Sequence, residues 1–165
     1  MNWLDLVIVL TVLAFVLSAY ASGLIREVVT LIGMVAGIVI AGLLYDDLAA
    51  EFNAEGDTSL AVSFFVLFGS VYLMAQILAY VLKKGASLLM LGWVNHIGGA
   101  VFGLLKGVLM VEVALLVFAA YPGLGMDGAV EGSALAPLFV EDVDFVLILL
   151  PGDFDDRVAA FLVDR

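Results

Sequence analysis

Four long runs of apolar residues constrain the fold of this chain more than any other feature. The runs cover residues 3–20, 28–45, 60–82 and 98–121. Each is close to or within the ~17 to 25 helical residues needed to cross the ~30 Å hydrocarbon core of a bilayer. Only 14% of the 165 residues are charged, whereas soluble domains contain ~25%. We therefore predict an all-α integral membrane bundle of four transmembrane helices at 1–121, followed by a short amphipathic acidic tail at 122–165.

The first apolar run could alternatively be a secretory signal peptide, because Ala19-Tyr20-Ala21 resembles a cleavage site. A signal peptide begins with a positively charged region and has a shorter apolar region. In this chain Asp5 stands where the basic residues should be. We therefore expect the run to be kept as the first transmembrane helix.

The basic residues near the ends of the runs predict the orientation in the membrane. Arg26 lies after the first run and Lys83 and Lys84 after the third, whereas the link at 46–59 contains five acidic residues and no basic one. Links rich in Lys and Arg remain in the cytoplasm, so both chain termini are predicted to be extracytoplasmic. Interfacial aromatic residues are then expected on the outer side (Trp3, Tyr45, Tyr121) and the inner side (Tyr20, Trp93).

The formal net charge of −11 is concentrated in the predicted outer link and tail. This distribution argues against a nucleic-acid partner and against binding of anionic lipid headgroups at that surface. The predicted partners are the lipid bilayer itself and either further copies of the chain or other membrane proteins.

Small residues recur at four-residue spacing in two of the predicted spans. Such rows allow two helix backbones to approach closely in lipid. We interpret them as packing seams inside the bundle, with a dimer face as the alternative. The rows are Gly33, Gly37 and Ala41 in the second span, and Gly99, Gly103 and Gly107 in the fourth.

The tail contains two predicted short amphipathic helices, at residues 139–150 and 153–162. Both are too short to span a membrane, and their polar faces are acidic rather than basic, which is unlike helices that bind anionic lipid. We expect them to pack over the outer end of the bundle or against another protein.

The sequence contains no convincing site for enzyme chemistry. Gly123, Gly125 and Gly128 match the dinucleotide-binding pattern, but they follow a membrane helix rather than a strand. His96 is the single histidine and there is no cysteine, so a metal cluster or a catalytic triad has no partners. We predict a protein that is not an enzyme and needs no cofactor or metal.

The fourth span carries two charges, Lys106 and Glu112. A charge within the membrane costs ~2.5 to 3.5 kcal/mol on insertion scales, so it should face the bundle interior and find partners. Counting along the helices places Glu112 level with Thr11 and Ser70. Lys106 lies about 9 Å nearer the cytoplasm at ~1.5 Å per residue. The intramembrane polar candidates are therefore Glu112, Lys106, Glu27, Arg26, Asp5, Thr11, Ser70 and Gln76, together with Thr30 at the level of Lys106.

Three interpretations of these two charges remain open. In the structural one, Lys106 extends to the inner interface and a protonated Glu112 is hydrogen-bonded to Thr11 or Ser70. In the second, the two polar layers form a path for protons or ions. In the third, the charges contact another copy of the chain.

Four segments of the sequence resemble the colicin V production protein (CvpA) family of bacterial inner-membrane proteins. The segments are MNWLDLVIVL at the start, GLIRE at 23–27, LGWVNHIGGAVFGLLKGVLMV at 91–111 and SALAPLF at 133–139. They occur in the expected order over about the first 140 residues. The chain departs from the family at Ser22-Gly23, where Arg-Gly is usual, and at Asn95-His96, where Asp-Arg is usual.

The resemblance implies a bacterial inner-membrane protein that supports colicin V production or export and envelope homeostasis, with no established chemical activity. Two hypotheses follow. The protein could be a small transport or channel component whose path passes Glu112 and Lys106. It could instead be a non-transporting scaffold that recruits partners through its glycine rows and acidic tail. Four short helices enclose little space, so transport would favour an oligomer.

Overall fold

The computed structural model describes residues 2–52, 56–86 and 92–140 of the chain. Within these ranges the protein is helical and contains no strand, and four helices are long and apolar enough to cross a membrane. The prediction of an all-α membrane bundle with four transmembrane helices is confirmed. The long helices are α1 (Trp3–Ser22), α2 (Leu24–Glu51), α3 (Asp57–Ala86) and α4 (Gly92–Ala120). They are followed by a 3₁₀ turn (Pro122–Leu124) and by two short helices, α5 (Asp127–Glu131) and α6 (Pro137–Val140).

Each long helix continues beyond the predicted span, so the links are shorter than the hydropathy suggests. The link between α1 and α2 consists of Gly23 alone, whose φ of 88° lies in the left-handed region that favours glycine. Asp46 and Asp47, predicted to lie in a loop, are exposed on the last turns of α2. Helical hydrogen bonding remains favourable where the chain leaves the lipid, and apolar runs therefore underestimate helix length. The predicted tail helices lie almost wholly outside the described residues.

The helices form two antiparallel pairs, α1 with α4 and α2 with α3. Contact between α2 and α4, which run parallel, joins the pairs, whereas α1 and α3 make little contact with each other. The order of neighbouring helices is therefore α3, α2, α4, α1. This arrangement leaves a gap between α1 and α3.

The glycine row of α4 lies against α1. A Cβ added at Gly103 would lie 2.7 Å from the carbonyl oxygen of Phe15 and would also overlap the side chain of Ala19. A Cβ at Gly107 would lie 3.1 Å from the Cα of Val12, and one at Gly99 would overlap the Ala19 carbonyl. The row therefore allows α1 and α4 to approach backbone to backbone.

The small residues of α2 lie inside the chain as well. A Cβ added at Gly33 would overlap Ala75 of α3, and one at Gly37 would lie 3.2 Å from the Phe68 ring. Ala41 is fully buried in the main apolar core. Both rows thus occupy interfaces between helices of one chain.

The main apolar core fills the bundle from its middle to the end where α2 and α4 finish. Tyr45 and Tyr121 belong to this core and contact each other edge to face, with ring centroids 6.5 Å apart. Both rings face the interior of the bundle rather than its outer surface, and are 3% and 0% exposed. Trp3, Tyr20 and Trp93 are exposed. Other members of the core are Met34, Ile38, Phe64, Phe68, Leu116 and Val117.

Candidate functional site

A polar cavity of about 250 Å³ is lined by all four long helices. It lies on the opposite side of the apolar core from Tyr45 and Tyr121, near the helix ends where Gly23 joins α1 to α2. Ala14 and Ser18 of α1 are exposed in its wall, so the cavity is open toward the gap between α1 and α3. Its lining consists of Ala14, Phe15 and Ser18 of α1, Arg26 and Glu27 of α2, Tyr72 and Gln76 of α3, and Lys106 of α4.

Lys106 is held in the cavity wall by an ion pair with Glu27 and a hydrogen bond to Thr30. Its Nζ donates to the Thr30 hydroxyl at 2.7 Å, and all three residues are at most 3% exposed. The Phe15 ring centroid lies 5.8 Å from the same nitrogen. Removing one partner of such a buried pair leaves an uncompensated charge. Lys106 and Glu27 therefore depend on each other for burial.

Arg26 connects three helices at the same level. Its Nη1 donates to Ser22 at the end of α1 at 2.7 Å, and its Nη2 donates to Gln76 of α3 at 3.0 Å. The Nε atom is buried and has no hydrogen-bond partner among the described residues. Two of the three guanidinium nitrogens are thus fixed by the protein.

The cavity wall carries an excess of positive charge. Arg26 and Lys106 contribute two cations, and Glu27 contributes the one carboxylate of the lining. Arg26 and Glu27 also occupy the first turn of α2, where the helix dipole is positive. The site therefore favours an anion over a cation.

The sequence-predicted layer around Lys106 is found together in the structure. Glu27, Thr30 and Gln76 were placed near Lys106 by counting residues along the helices, and all belong to the cavity wall or bond directly to it. Arg26, predicted as an intramembrane polar candidate, completes the group.

The layer predicted around Glu112 does not form. Glu112 lies in a separate, mainly apolar groove of about 320 Å³ between α2 and α4, and no hydrogen bond joins it to a described residue. Thr11 lines a different pocket between α1 and α4. Ser70 is exposed on α3, where its hydroxyl donates to the Val66 carbonyl at 2.7 Å. Counting along the helices predicted one level for these residues, but the rotation of each helix about its axis directs their side chains apart.

Asp5 also lies away from the cavity, at the other end of α1. Its Oδ1 accepts hydrogen bonds from the Ser133 hydroxyl at 2.6 Å and from the backbone N–H groups of Ala134 and Leu135 at 2.9 Å. The carboxylate thereby fixes the segment after α5 against α1. Asn2 assists by capping α1 and by donating to the Ala129 carbonyl at 2.6 Å.

Asn95 and His96 contact the residues on either side of the Gly23 link, and these contacts were not predicted from the sequence. The Asn95 Oδ1 accepts a hydrogen bond from the first N–H of α2, at Leu24, with a length of 2.8 Å. His96 Nδ1 lies 2.7 Å from the Tyr20 carbonyl oxygen. These two residues brace the Gly23 link against α4. Their position just before the glycine row, where the chain departs from the usual Asp-Arg of the family it resembles, was the available signal.

The fold and the site define a class, the multi-pass α-helical membrane protein with a charged cavity inside the bundle. The model of the Colicin V production protein family matches residues 4–144, and the chain therefore belongs to this family. The resemblance noted in the sequence is confirmed. Comparison with curated proteins and with solved structures found no significant match.

Proposed function

We propose that the protein supports colicin V-type toxin production or export as a small transport component of the bacterial inner membrane, with the cavity as its working centre. Membership of the family supports the link to toxin production. The observation that carries the transport proposal is that all four long helices contribute to one cavity with charged walls.

Stability alone gives little reason for this arrangement. Replacing a buried ion pair with packed apolar side chains is often neutral or stabilising, and charges within membranes usually mark a path for ions or substrates. A fully apolar interior would continue the core that already surrounds Phe64 and Leu116. The cavity instead combines an ion pair, a second cation and open volume.

The helix arrangement supports a movement that would open and close the entrance of the cavity. The α1–α4 pair and the α2–α3 pair are each tightly packed through small residues, but they meet mainly where α2 contacts α4. A rocking movement of one pair against the other would open or close the gap between α1 and α3. Glu112 lies in a different groove, so the proposed working centre does not include it.

The orientation remains the one expected from the charges of the links. Arg26 at the start of α2 and the Lys83/Lys84 pair in the last turn of α3 support a cytoplasmic location for the cavity end of the bundle. Both termini would then be extracytoplasmic. A reporter that is active only in the cytoplasm should be silent when fused after Arg165, and strong activity would reverse the proposed orientation.

The scaffold hypothesis loses part of its basis. Both glycine rows are occupied by contacts within the chain, so a partner could not use them without separating the helices. A scaffold would have to act through the acidic tail, of which residues 141–165 lie outside the described ranges.

Flux measurements in liposomes distinguish the two functions. Purified protein should carry protons, chloride or phosphate faster than protein-free liposomes, and Arg26→Gln should lower that flux at least tenfold. Ser70→Ala is the control, because Ser70 is exposed and bonds only within its own helix. Absence of flux for all three ions, in a protein whose deletion still impairs toxin production, would favour the scaffold.

A further inference from the structure

We infer that the cavity is a binding site for a phosphate group, held by the Arg26 guanidinium in its wall. This inference rests on the proposed function, since it names the chemical class of ligand that the working centre takes. It is carried by three features of the cavity: a guanidinium held in position in the wall, an uncompensated positive charge and an opening between two helices.

The first feature is the guanidinium of Arg26, which lines the cavity. Guanidinium groups bind phosphate oxygens through paired N–H donors in a fixed plane. Hydrogen bonds from Nη1 to Ser22 and from Nη2 to Gln76 hold this plane in position, and each of these two nitrogens keeps a second N–H. A phosphate is the complementary acceptor for these remaining N–H groups.

The second feature is the charge of the lining. Glu27 neutralises one cation through its ion pair with Lys106, and Arg26 is left without a carboxylate partner among the described residues. A singly charged phosphate ester would bring the cavity close to neutrality. The hydroxyl-bearing side chains of Ser18 and Tyr72 line the same space and can supply further donors.

The third feature is the size and direction of the opening. A volume of about 250 Å³ is smaller than the ~300 to 1,000 Å³ of pockets for drug-sized ligands, which suits a phosphate or a lipid headgroup. The exposed wall residues Ala14 and Ser18 border the gap between α1 and α3. Basic pockets between transmembrane helices on the cytoplasmic side bind the headgroups of anionic lipids. The phosphate could therefore come from an inner-leaflet lipid or from solution.

Binding measurements on delipidated protein in a neutral detergent test the inference and separate the two sources. One arm titrates inorganic phosphate against chloride at equal ionic strength, with calorimetry as the readout. The other adds phosphatidylglycerol or zwitterionic phosphatidylcholine, with native mass spectrometry as the readout. Phosphate binding without preference for phosphatidylglycerol indicates a soluble anion. Preference for phosphatidylglycerol over phosphatidylcholine indicates a lipid headgroup.

Three variants give the measurement its specificity. Arg26→Gln should weaken binding at least tenfold in the arm that shows it. Arg26→Lys should give an intermediate loss, because the charge remains but the planar pair of donors is removed. Ser70→Ala should bind like the parent protein. If Arg26→Gln does not fold, Gln76→Glu serves instead, since its carboxylate would occupy Arg26 and repel the anion.

Failure of this inference is distinguishable from failure of the transport proposal. Absence of binding in both arms, or equal binding by the parent and the Arg26→Gln variant, would overturn the phosphate site even if ions cross the liposome membrane. If phosphate binding depends on Arg26 but no ion flux is measured, the phosphate site is retained and the transport proposal is overturned.

Discussion

Lys106 illustrates how one residue joins the chemistry of the cavity to the stability of the bundle. It pairs with Glu27 and Thr30 in a fully buried position, so its charge is acceptable only while both partners remain. Counting along the helices predicted this group. Arg26 was predicted only as a polar candidate, because its bonds to Ser22 and Gln76 depend on how three helices meet.

The ion pair should show strong coupling between its two members. Lys106→Met leaves the Glu27 charge buried and should destabilise the protein by about 3 to 5 kcal/mol, whereas adding Glu27→Leu should recover most of the loss. Melting temperatures in detergent measure both effects. A double variant that is less stable than Lys106→Met would show that Lys106 and Glu27 do not depend on each other for burial.

Glu112 should tolerate both a polar and an apolar replacement. Its groove is lined by leucine and valine side chains, so Glu112→Leu removes a polar group without leaving a described partner unpaired. We expect a higher melting temperature, by about 2 to 4 °C for each kcal/mol gained, and unchanged cellular function for Glu112→Gln. Loss of function in a stably inserted Glu112→Gln variant would place a proton-carrying step at this residue.

At the scale of the helices, close approach depends on a few small side chains. The α1–α4 interface is formed around Gly99, Gly103 and Gly107, and the α2–α3 interface around Gly33 and Gly37. The four-residue spacing predicted both rows. It did not identify their partner helices, because every helix of the bundle presents some small residues to its neighbours.

Enlarging Gly103 should separate α1 from α4. Even a Cβ at this position would lie 2.7 Å from the Phe15 carbonyl oxygen, so Gly103→Leu should cost at least ~1 to 3 kcal/mol and lower the melting temperature. Gly69→Leu is the matched control, because a Cβ at Gly69 meets nothing within 4 Å. Equal melting temperatures for the two variants would show that the glycine row faces lipid.

The Asp5 anchor should control the order of the segment after α5. Hydrogen bonds to a charged acceptor contribute ~1.5 to 3 kcal/mol each, and Asp5 accepts from Ser133, Ala134 and Leu135. In Asp5→Ala, hydrogen exchange of peptides covering 129–140 should accelerate at least tenfold. The control is Asp47→Ala, which changes an exposed acidic residue of α2 and should leave this exchange unchanged. An unchanged exchange rate in Asp5→Ala would show that the Asp5 hydrogen bonds do not order this segment.

For the whole molecule, hydropathy predicted the four long helices, and residue counting predicted which polar side chains lie at the level of Lys106. Rotation about the helix axes could not be read from the same information. It separates Glu112 from Thr11 and Ser70, and it turns Tyr45 and Tyr121 into the core. The role of Asp5 was equally out of reach, because its partners lie about 130 residues away along the chain.

The two ends of the bundle differ in structure. The apolar core and the Asp5 anchor stabilise one end, and the cavity at the other end carries the charges and the opening between α1 and α3. We propose that the cavity, rather than the surface of the bundle, is the working part of this family member.

The most direct test is toxin release by cells that lack their own copy of the gene and carry either the parent protein, Arg26→Gln or the Ser70→Ala control. Membrane fractions must contain equal amounts of the three proteins. If the cavity is the working part, toxin is released with the parent and with Ser70→Ala, and release falls at least tenfold with Arg26→Gln. Equal release by all three, in cells where the missing gene gives a clear defect, would contradict it.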